Sequence, residues 1–248
     1  MRFENKVIII TGASQGLGVG YAREFLKEGA KVVLVARRAE KLDHTAEQLA
    51  SELQVSDAGR RVLPVACDVS DEQQVKSMMK RVMDAFGTVD VLINNAALHI
   101  SKRVVETSKE EWDRQIGVNL TGTFLCSREV LPVMIAKGCG KIVNISSSAA
   151  KHFFPGFGAY ASSKGGIVSF THTLSEEVKE YGINVNAVYL GMTNTDYTRR
   201  RLENDPAVTI DLKEMLQIEE VSKVVLFLAS DEAAPIMGAA LDVFGKKA

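Results

Sequence analysis

The chain reads as an α/β protein: one domain spanning 1–248, a doubly wound parallel sheet of about seven strands with helices on both faces. Three observations predict it. Short β-branched runs alternate with longer amphipathic segments along the whole length, the pattern of successive βαβ units. Several runs are apolar at consecutive positions, as strands covered on both faces must be. No Pro/Gly/Ser-rich linker, internal repeat or low-complexity stretch divides the 248 residues, a length that can bury one substantial core.

The elements follow in order. The first strand is Val7–Ile10, and a glycine-rich turn leads from it into a helical pattern over 17–28. The run Val32–Ala36 is the second strand, followed by a helix over 40–54. Val62–Ala66 gives the third strand and 71–86 the next helix; Val89–Ile93 is the fourth strand. The long helical stretch 109–137 reads as two helices or one bent helix. Strand five is Lys141–Ile145, then a helix over 158–181, then strand six at Ile183–Ala187. A helix over 218–229 and a strand at Ala239–Val243 close the chain. The least regular segment is 190–217, with Gly191, Asn194, Asp205 and Pro206. An excursion of that length at the strand carboxyl ends reads as a substrate lid.

Composition narrows the function. With 46% hydrophobic and 25% charged residues the chain reads as a soluble globular protein, and a net charge of −1 gives no bulk attraction to nucleic acid or an anionic membrane. Apolar stretches such as Val224–Ala229 are far too short to span a bilayer. Met1-Arg2-Phe3-Glu4-Asn5-Lys6 runs straight into a strand without the apolar core of a signal peptide. Cys67, Cys126 and Cys139 are widely spaced and odd in number, which suits neither a disulfide framework nor a metal site. Buried or semi-buried thiols in a reducing cytoplasm, and no metal, are expected.

Chemistry is concentrated in Tyr160-Ala161-Ser162-Ser163-Lys164. Tyr160 and Lys164 lie one helical turn apart on one side, so phenol and ammonium can share a pocket. A nearby cation favours the phenolate and makes proton transfer useful near neutrality. The ordinary alternative for such a pair is a solvated helix face. Ser147, thirteen residues upstream of Tyr160, follows the fifth strand, where a hydroxyl can bond a substrate oxygen. Tyr21, Tyr181, Tyr189 and Tyr197 have no lysine four residues on. His99 and His152 follow strand carboxyl ends and can line the pocket; His172 lies inside a helix and reads as packing or interface.

At the other end, Thr11-Gly12-Ala13-Ser14-Gln15-Gly16-Leu17-Gly18 links strand to helix. Glycines allow a tight turn and close approach of a pyrophosphate, which the helix N-terminus attracts. With Asp68-Val69, Asn94-Asn95-Ala96-Ala97, Gly117-Val118-Asn119-Leu120-Thr121-Gly122, the Ser147/Tyr160/Lys164 set and Gly238 with Leu241-Asp242-Val243, six motifs stand in order. On these the chain resembles the short-chain dehydrogenase/reductase family over essentially its whole length, including 3-oxoacyl carrier-protein reductases and small ketone or alcohol dehydrogenases. The resemblance implies a Rossmann-type fold and a nicotinamide dinucleotide on Gly12, Ser14, Gln15, Gly16, Leu17 and Gly18. It places Asp68 and Val69 beside the adenine, and Asn95 and Ala96 by the nicotinamide-side ribose and the central strand. It adds Lys164 and Tyr160 at the nicotinamide ribose, Asn119 as a fourth catalytic member that keeps a helix bend, and Gly191, Thr193 and Thr195 on the cofactor side, the threonines near the carboxamide.

Cofactor choice turns on Val35-Ala36-Arg37-Arg38. An acid normally ends this strand in NAD enzymes, whereas a guanidinium fork suits a 2′-phosphate. NADP(H) is therefore favoured over NAD(H), although Gln15 stands where many NADP-selective relatives are basic, and surface pairing of the arginines with Glu40 is the alternative. The aromatic stretch Lys151–Phe157 suggests an apolar or ring-bearing substrate, a packing layer beneath the lid, or a subunit contact. His99, His152, Phe153, Phe157, Met192 and Tyr197 are the candidate pocket residues. The positive lid stretch Tyr197-Thr198-Arg199-Arg200-Arg201 suits an acidic substrate or acyl carrier, or plain solvent exposure. Departures from the family pattern are Leu190-Gly191, Ile218-Glu219-Glu220 and the tail Phe244-Gly245-Lys246. The implied activity is NADP(H)-dependent reduction of a small-molecule carbonyl or oxidation of an alcohol, with no nucleic-acid or membrane partner. The alternatives are an NAD-dependent secondary-alcohol dehydrogenase and a non-catalytic dinucleotide sensor or scaffold. Helical faces around 109–137 and 158–181 resemble those with which the family forms homo-oligomers, tetramers before dimers.

Overall fold

The strands are Val7–Thr11 (β1), Lys31–Ala36 (β2), Val62–Ala66 (β3), Val91–Asn94 (β4), Gly140–Ile145 (β5), Ile183–Leu190 (β6) and Ala240–Val243 (β7). In this computed structural model, which describes residues 1–53, 58–204, 212 and 214–245, they form one parallel sheet in the order β3-β2-β1-β4-β5-β6-β7. The chain winds outward from β1 in one direction and returns from β4 in the other. Where the order reverses, the carboxyl ends of β1 and β4 splay apart and leave a crevice.

Consecutive apolar residues in each strand serve opposite faces. Ile8 and Ile10 belong to the layer under the helices Gly16–Lys27 (α1), Ala39–Glu52 (α2) and Ile218–Ala229 (α9), with Phe25, Leu42 and Val225. Ile9 and Val33 belong to the opposite layer under Glu72–Phe86 (α4), Gly122–Lys137 (α6) and Gly158–Val178 (α7), with Met78, Cys126 and Leu174. The period-two pleat puts neighbours on opposite sides, and helices on both sides demand an apolar residue at each.

The long stretch 109–137 is bent: Lys109–Ile116 (α5), closed at its start by a Ser108/Glu111 capping box, runs through a π-turn at Gly117–Thr121 into α6. β4 starts two residues later than expected because Asp90 acts as an anchor, its carboxylate accepting from Val7 N–H at 2.8 Å and from Lys137 Nζ at 2.6 Å. β6 continues to Leu190 because β7 pairs with Ala187–Leu190. The helix expected over 158–181 ends at Val178 in a 3-10 turn.

Two short helices were not expected: Ala58–Arg61 (α3) and, inside the segment read as least regular, Asp196–Asn204 (α8). Residue 54, Asp205, Pro206 and Lys246 lie outside the described residues, as does the side chain of Arg201. Cys67 and Cys126 are buried as expected, whereas Cys139 is exposed in the turn after α6. Among the described residues no group of side chains could hold a metal, and no helix is long and apolar enough to cross a membrane.

Candidate active site

The floor of the crevice is tied together by Thr11 at the end of β1. Its Oγ1 accepts from the backbone N–H of Asn95 at 2.9 Å and of Ala96 at 3.0 Å, and Asn95 Nδ2 donates to Thr11 O at 2.9 Å. The chain then turns sharply at Gly12, where φ is +68° and a Cβ would stand 2.9 Å from Ala96 Cα. Only glycine fits that approach. Gly18 is needed for a different reason: a Cβ there would meet Gly12 O at 2.4 Å, so its absence lets α1 seat against the turn. At the head of α1, Gln15 makes no side-chain cap; its Oε1 instead accepts from Lys41 Nζ at 2.6 Å. The first-turn N–H groups of α1 therefore face an open cavity of about 390 Å³.

That cavity gathers Gly12, Ser14, Gln15, Gly16, Leu17, Arg37, Arg38, Asp68, Val69, Asn95, Ala96, Thr195 and Tyr197 of the expected residues. Among the described residues neither Arg37 nor Arg38 is ion-paired with Glu40. These features fit a dinucleotide: a glycine cradle a side chain would fill, an uncapped helix start, and two guanidinium groups at the far rim.

Tyr160, Lys164 and Ser147 stand beyond this cavity, around the ends of β5 and α7. Lys164 is buried; its Nζ donates to Ile145 O at 2.7 Å and lies 5.7 Å from the Tyr160 ring centroid. Burial pushes the lysine pKa down to about 8. Ser147 Oγ accepts from Ala149 N–H at 3.2 Å. Ser146, by contrast, is buried and donates to Lys164 O at 2.9 Å, a purely supporting position.

Asn119 sits in the π-turn with no exposed surface. Its Oδ1 accepts from Leu98 N–H at 2.7 Å, and Nδ2 donates to Leu98 O and Ser163 Oγ, both at 2.9 Å. Ser163 Oγ in turn donates to Tyr160 O at 2.7 Å. The bend in the long helix is thereby wired to the backbone that carries the tyrosine. π-turns of this kind displace side chains that a regular helix would place elsewhere.

Over the tyrosine lies His99, its ring centroid 4.5 Å from those of both Tyr160 and Phe157. His99 Nδ1 is 3.3 Å from the hydroxyl of Tyr197, which α8 brings across from the lid. His99 and Phe157 thus stand against the Tyr160 ring, and Tyr197 reaches His99 from the lid. Phe153 does not: it is 95% exposed, because the loop turns Phe154 and Phe157 toward each other (centroids 5.4 Å apart) and directs the residue before them outward. His152 is exposed and packs edge-on to Phe244, and Met192 is exposed on the lid. Gly191 and Thr193 lie outside the cavity. A Cβ on Gly191 would meet the Phe244 backbone at 2.9 Å, and Thr193 bridges to Leu216.

Sequence reasoning does not assign Lys41, Leu98 and Val118 to the site, and reads Arg200 only as lid charge; all four line the cavity. Lys41 follows Arg38 by one helical turn, a signal that was present once α2 was placed. Arg200 reads only as part of a positive lid stretch, because without α8 nothing sets it beside the second strand.

Comparison with known proteins places the chain in a family. The family described as short chain dehydrogenase matches residues 6–206. The 3-oxoacyl-(acyl-carrier-protein) reductase of Thermotoga maritima is 36% identical over 248 residues, covering 99% of this chain and 98% of its own. Meso-2,3-butanediol dehydrogenase of Serratia marcescens is 36% identical over 249 residues, covering 99% and 95%. The solved structure of L-sorbose reductase from Gluconobacter frateurii, complexed with NADPH and L-sorbose, superposes with a TM-score of 0.88 at 29% identity, covering 99% of this chain and 97% of that one. On fold, motif order and these similarities together, the chain belongs to the short chain dehydrogenase family of oxidoreductases.

Proposed function

We propose that this protein is an NADP(H)-dependent carbonyl reductase or alcohol dehydrogenase in which Tyr160 exchanges the proton. The observation that carries this reading is the buried Lys164 ammonium, held by Ile145 O one turn from the Tyr160 ring. A fixed cation there favours the tyrosinate, the form the hydroxyl takes when it exchanges its proton with the substrate oxygen. Ser147 Oγ, at the same strand end, donates to the substrate oxygen and orients its carbon. Asn119 positions both partners by holding the α7 backbone through Ser163. When bound, the dinucleotide supplies or takes up the hydride. His99, Phe157 and Tyr197 enclose the reacting carbon and keep water from it.

Arg37 and Arg38 support NADP(H) over NAD(H), and the NADPH in the L-sorbose reductase structure points the same way. The likeness to a butanediol dehydrogenase favours, as a second reading, the same chemistry run as oxidation of a secondary alcohol. The fold serves as a single domain, with 190–217 as a lid built around α8. Exposed Phe124 and Ile135 on α6 suit a subunit contact of a tetramer. The test is a panel of ketones, 3-oxoacyl thioesters and secondary alcohols, followed by nicotinamide absorbance with NADPH, NADH and their oxidised forms. Turnover of at least one class with a preference for the phosphorylated cofactor is expected. Absence of turnover across the panel contradicts the reading.

A further inference from the structure

We infer that the lid itself reads the cofactor: Arg200 of α8 and Lys41 of α2 complete, with Arg37 and Arg38, a cationic cradle for the 2′-phosphate of NADP(H), and this contact draws Tyr197 over the catalytic tyrosine. The inference rests on the NADP(H) reading above and extends it to residues that the second strand does not supply.

Four cations converge on one cavity from three parts of the chain: the end of β2, the first turn of α2, and α8. Lys41 is fixed there by Gln15 Oε1 at 2.6 Å, which ties it to the glycine turn. Its pKa is lowered by burial first, then by the positive charges of Arg38 and Arg200, so the three cations share one neighbourhood. A dianionic phosphate entering this hollow meets several cationic donors at once. Two acids, Asp68 and Asp196, line the same cavity; Asp196 opposes the repulsion on Lys41 and is paired with Arg199. Arg199 also donates to Asn194 Oδ1 at 2.6 Å, which makes it the foot of the lid and leaves Arg200 as the residue on the cavity side.

The same helix carries the second half of the device. Tyr197 and Arg200 are three residues apart, hence on one face of α8. Tyr197 Oη is 3.3 Å from His99 Nδ1, and the His99 ring lies against Tyr160. A pull on Arg200 at the adenine end is therefore transmitted by a single helical turn to the cover of the reaction site. NADP(H) closes the lid; NAD(H), lacking the phosphate, closes it less well.

Fragments of the adenine end separate this from general cofactor affinity. Calorimetric binding of adenosine 2′,5′-bisphosphate and of 5′-AMP is compared in the parent, Arg200→Ala, Arg200→Lys and Arg38→Ala. Arg200 is exposed, so these variants are expected to fold. The parent should prefer the bisphosphate, Arg200→Ala should cut that preference by about tenfold, and Arg200→Lys should restore part of it. Amide hydrogen exchange over 196–204 gives the second readout: the bisphosphate should protect α8 in the parent more than 5′-AMP does, and not in Arg200→Ala. If Arg38→Ala lowers the preference and Arg200→Ala leaves it intact, the lid does not read the phosphate and this inference falls while the NADP(H) reading stands. A parent with no preference for the bisphosphate overturns both. Equal protection of α8 by the two fragments overturns the coupling.

Discussion

The ammonium of Lys164 lies 5.7 Å from the centre of the Tyr160 ring while its hydrogen bond goes to the Ile145 carbonyl, 2.7 Å away. A backbone oxygen at the end of a central strand therefore fixes the cation, and the cation stays beside the phenol whatever the tyrosine's protonation state. Burial makes this arrangement costly to the fold and useful to the chemistry.

That cost has a sign. The Lys164 pKa in the folded protein is about 8, below its ordinary 10.5. Between these values the unfolded chain binds the proton and the folded chain does not, so this group's contribution to stability rises with pH across that window. Below about 8 the buried ammonium is charged and destabilising. Lys164→Met should raise the melting temperature at pH 7 by a few degrees, with the gap to the parent narrowing by pH 10. Thermal melts of the cofactor-free protein at both pH values check this. Catalysis runs the other way: in the parent, support of the tyrosinate should fade as pH climbs past about 8, and Lys164→Met should lose most of its turnover at every pH.

Asn119→Ala should destabilise the fold by about 2–4 kcal/mol, since the Leu98 N–H and carbonyl and the Ser163 hydroxyl all lose a buried partner. Urea unfolding measures the loss. Turnover should fall by more than cofactor affinity, because the helix segment that carries Tyr160 is released from the π-turn.

Arg37→Asp/Arg38→Ala should reverse the preference between NADPH and NADH, moving the ratio of their dissociation constants by about one to two orders of magnitude. Fluorescence titration of each reduced cofactor checks it. An unchanged ratio would show that the guanidinium groups at the rim do not face the ribose phosphate.

Gly12→Ala should abolish dinucleotide binding. Its φ of +68° and the 2.9 Å approach to Ala96 Cα leave no room for a methyl group without moving the turn. Affinity for 5′-AMP and for the whole cofactor should both collapse, whereas circular dichroism of the helices should change little.

What could be read in advance was what local pattern encodes. The β-branched runs gave every strand to within three residues at either end, because a parallel sheet between helix layers needs apolar side chains on both faces. Tyr160 and Lys164 were legible as a pair because one helix turn places them together. The helix α8 was not: Asp196–Asn204 holds five charged residues and no apolar stripe, so its stability comes from a foot built by Asn194, Asp196 and Arg199. The meeting of Arg200 with Lys41 stayed hidden with it, since their shared cavity joins segments far apart in sequence. Phe153 looked like a pocket residue because composition marks a ring and not the direction in which it points; the loop turns it to solvent.

The central claim is that the Tyr160 hydroxyl trades the proton beside Lys164. Tyr160→Phe keeps the ring, its contacts with His99 and Phe157, and the backbone held by Ser163, and removes only the oxygen. The direct measurement is single-turnover reduction of the best ketone in the panel by pre-bound NADPH, in parent and variant. The account predicts NADPH affinity within about threefold of the parent and a rate reduced by about a thousandfold. A variant that binds NADPH and turns over at the parental rate would contradict it.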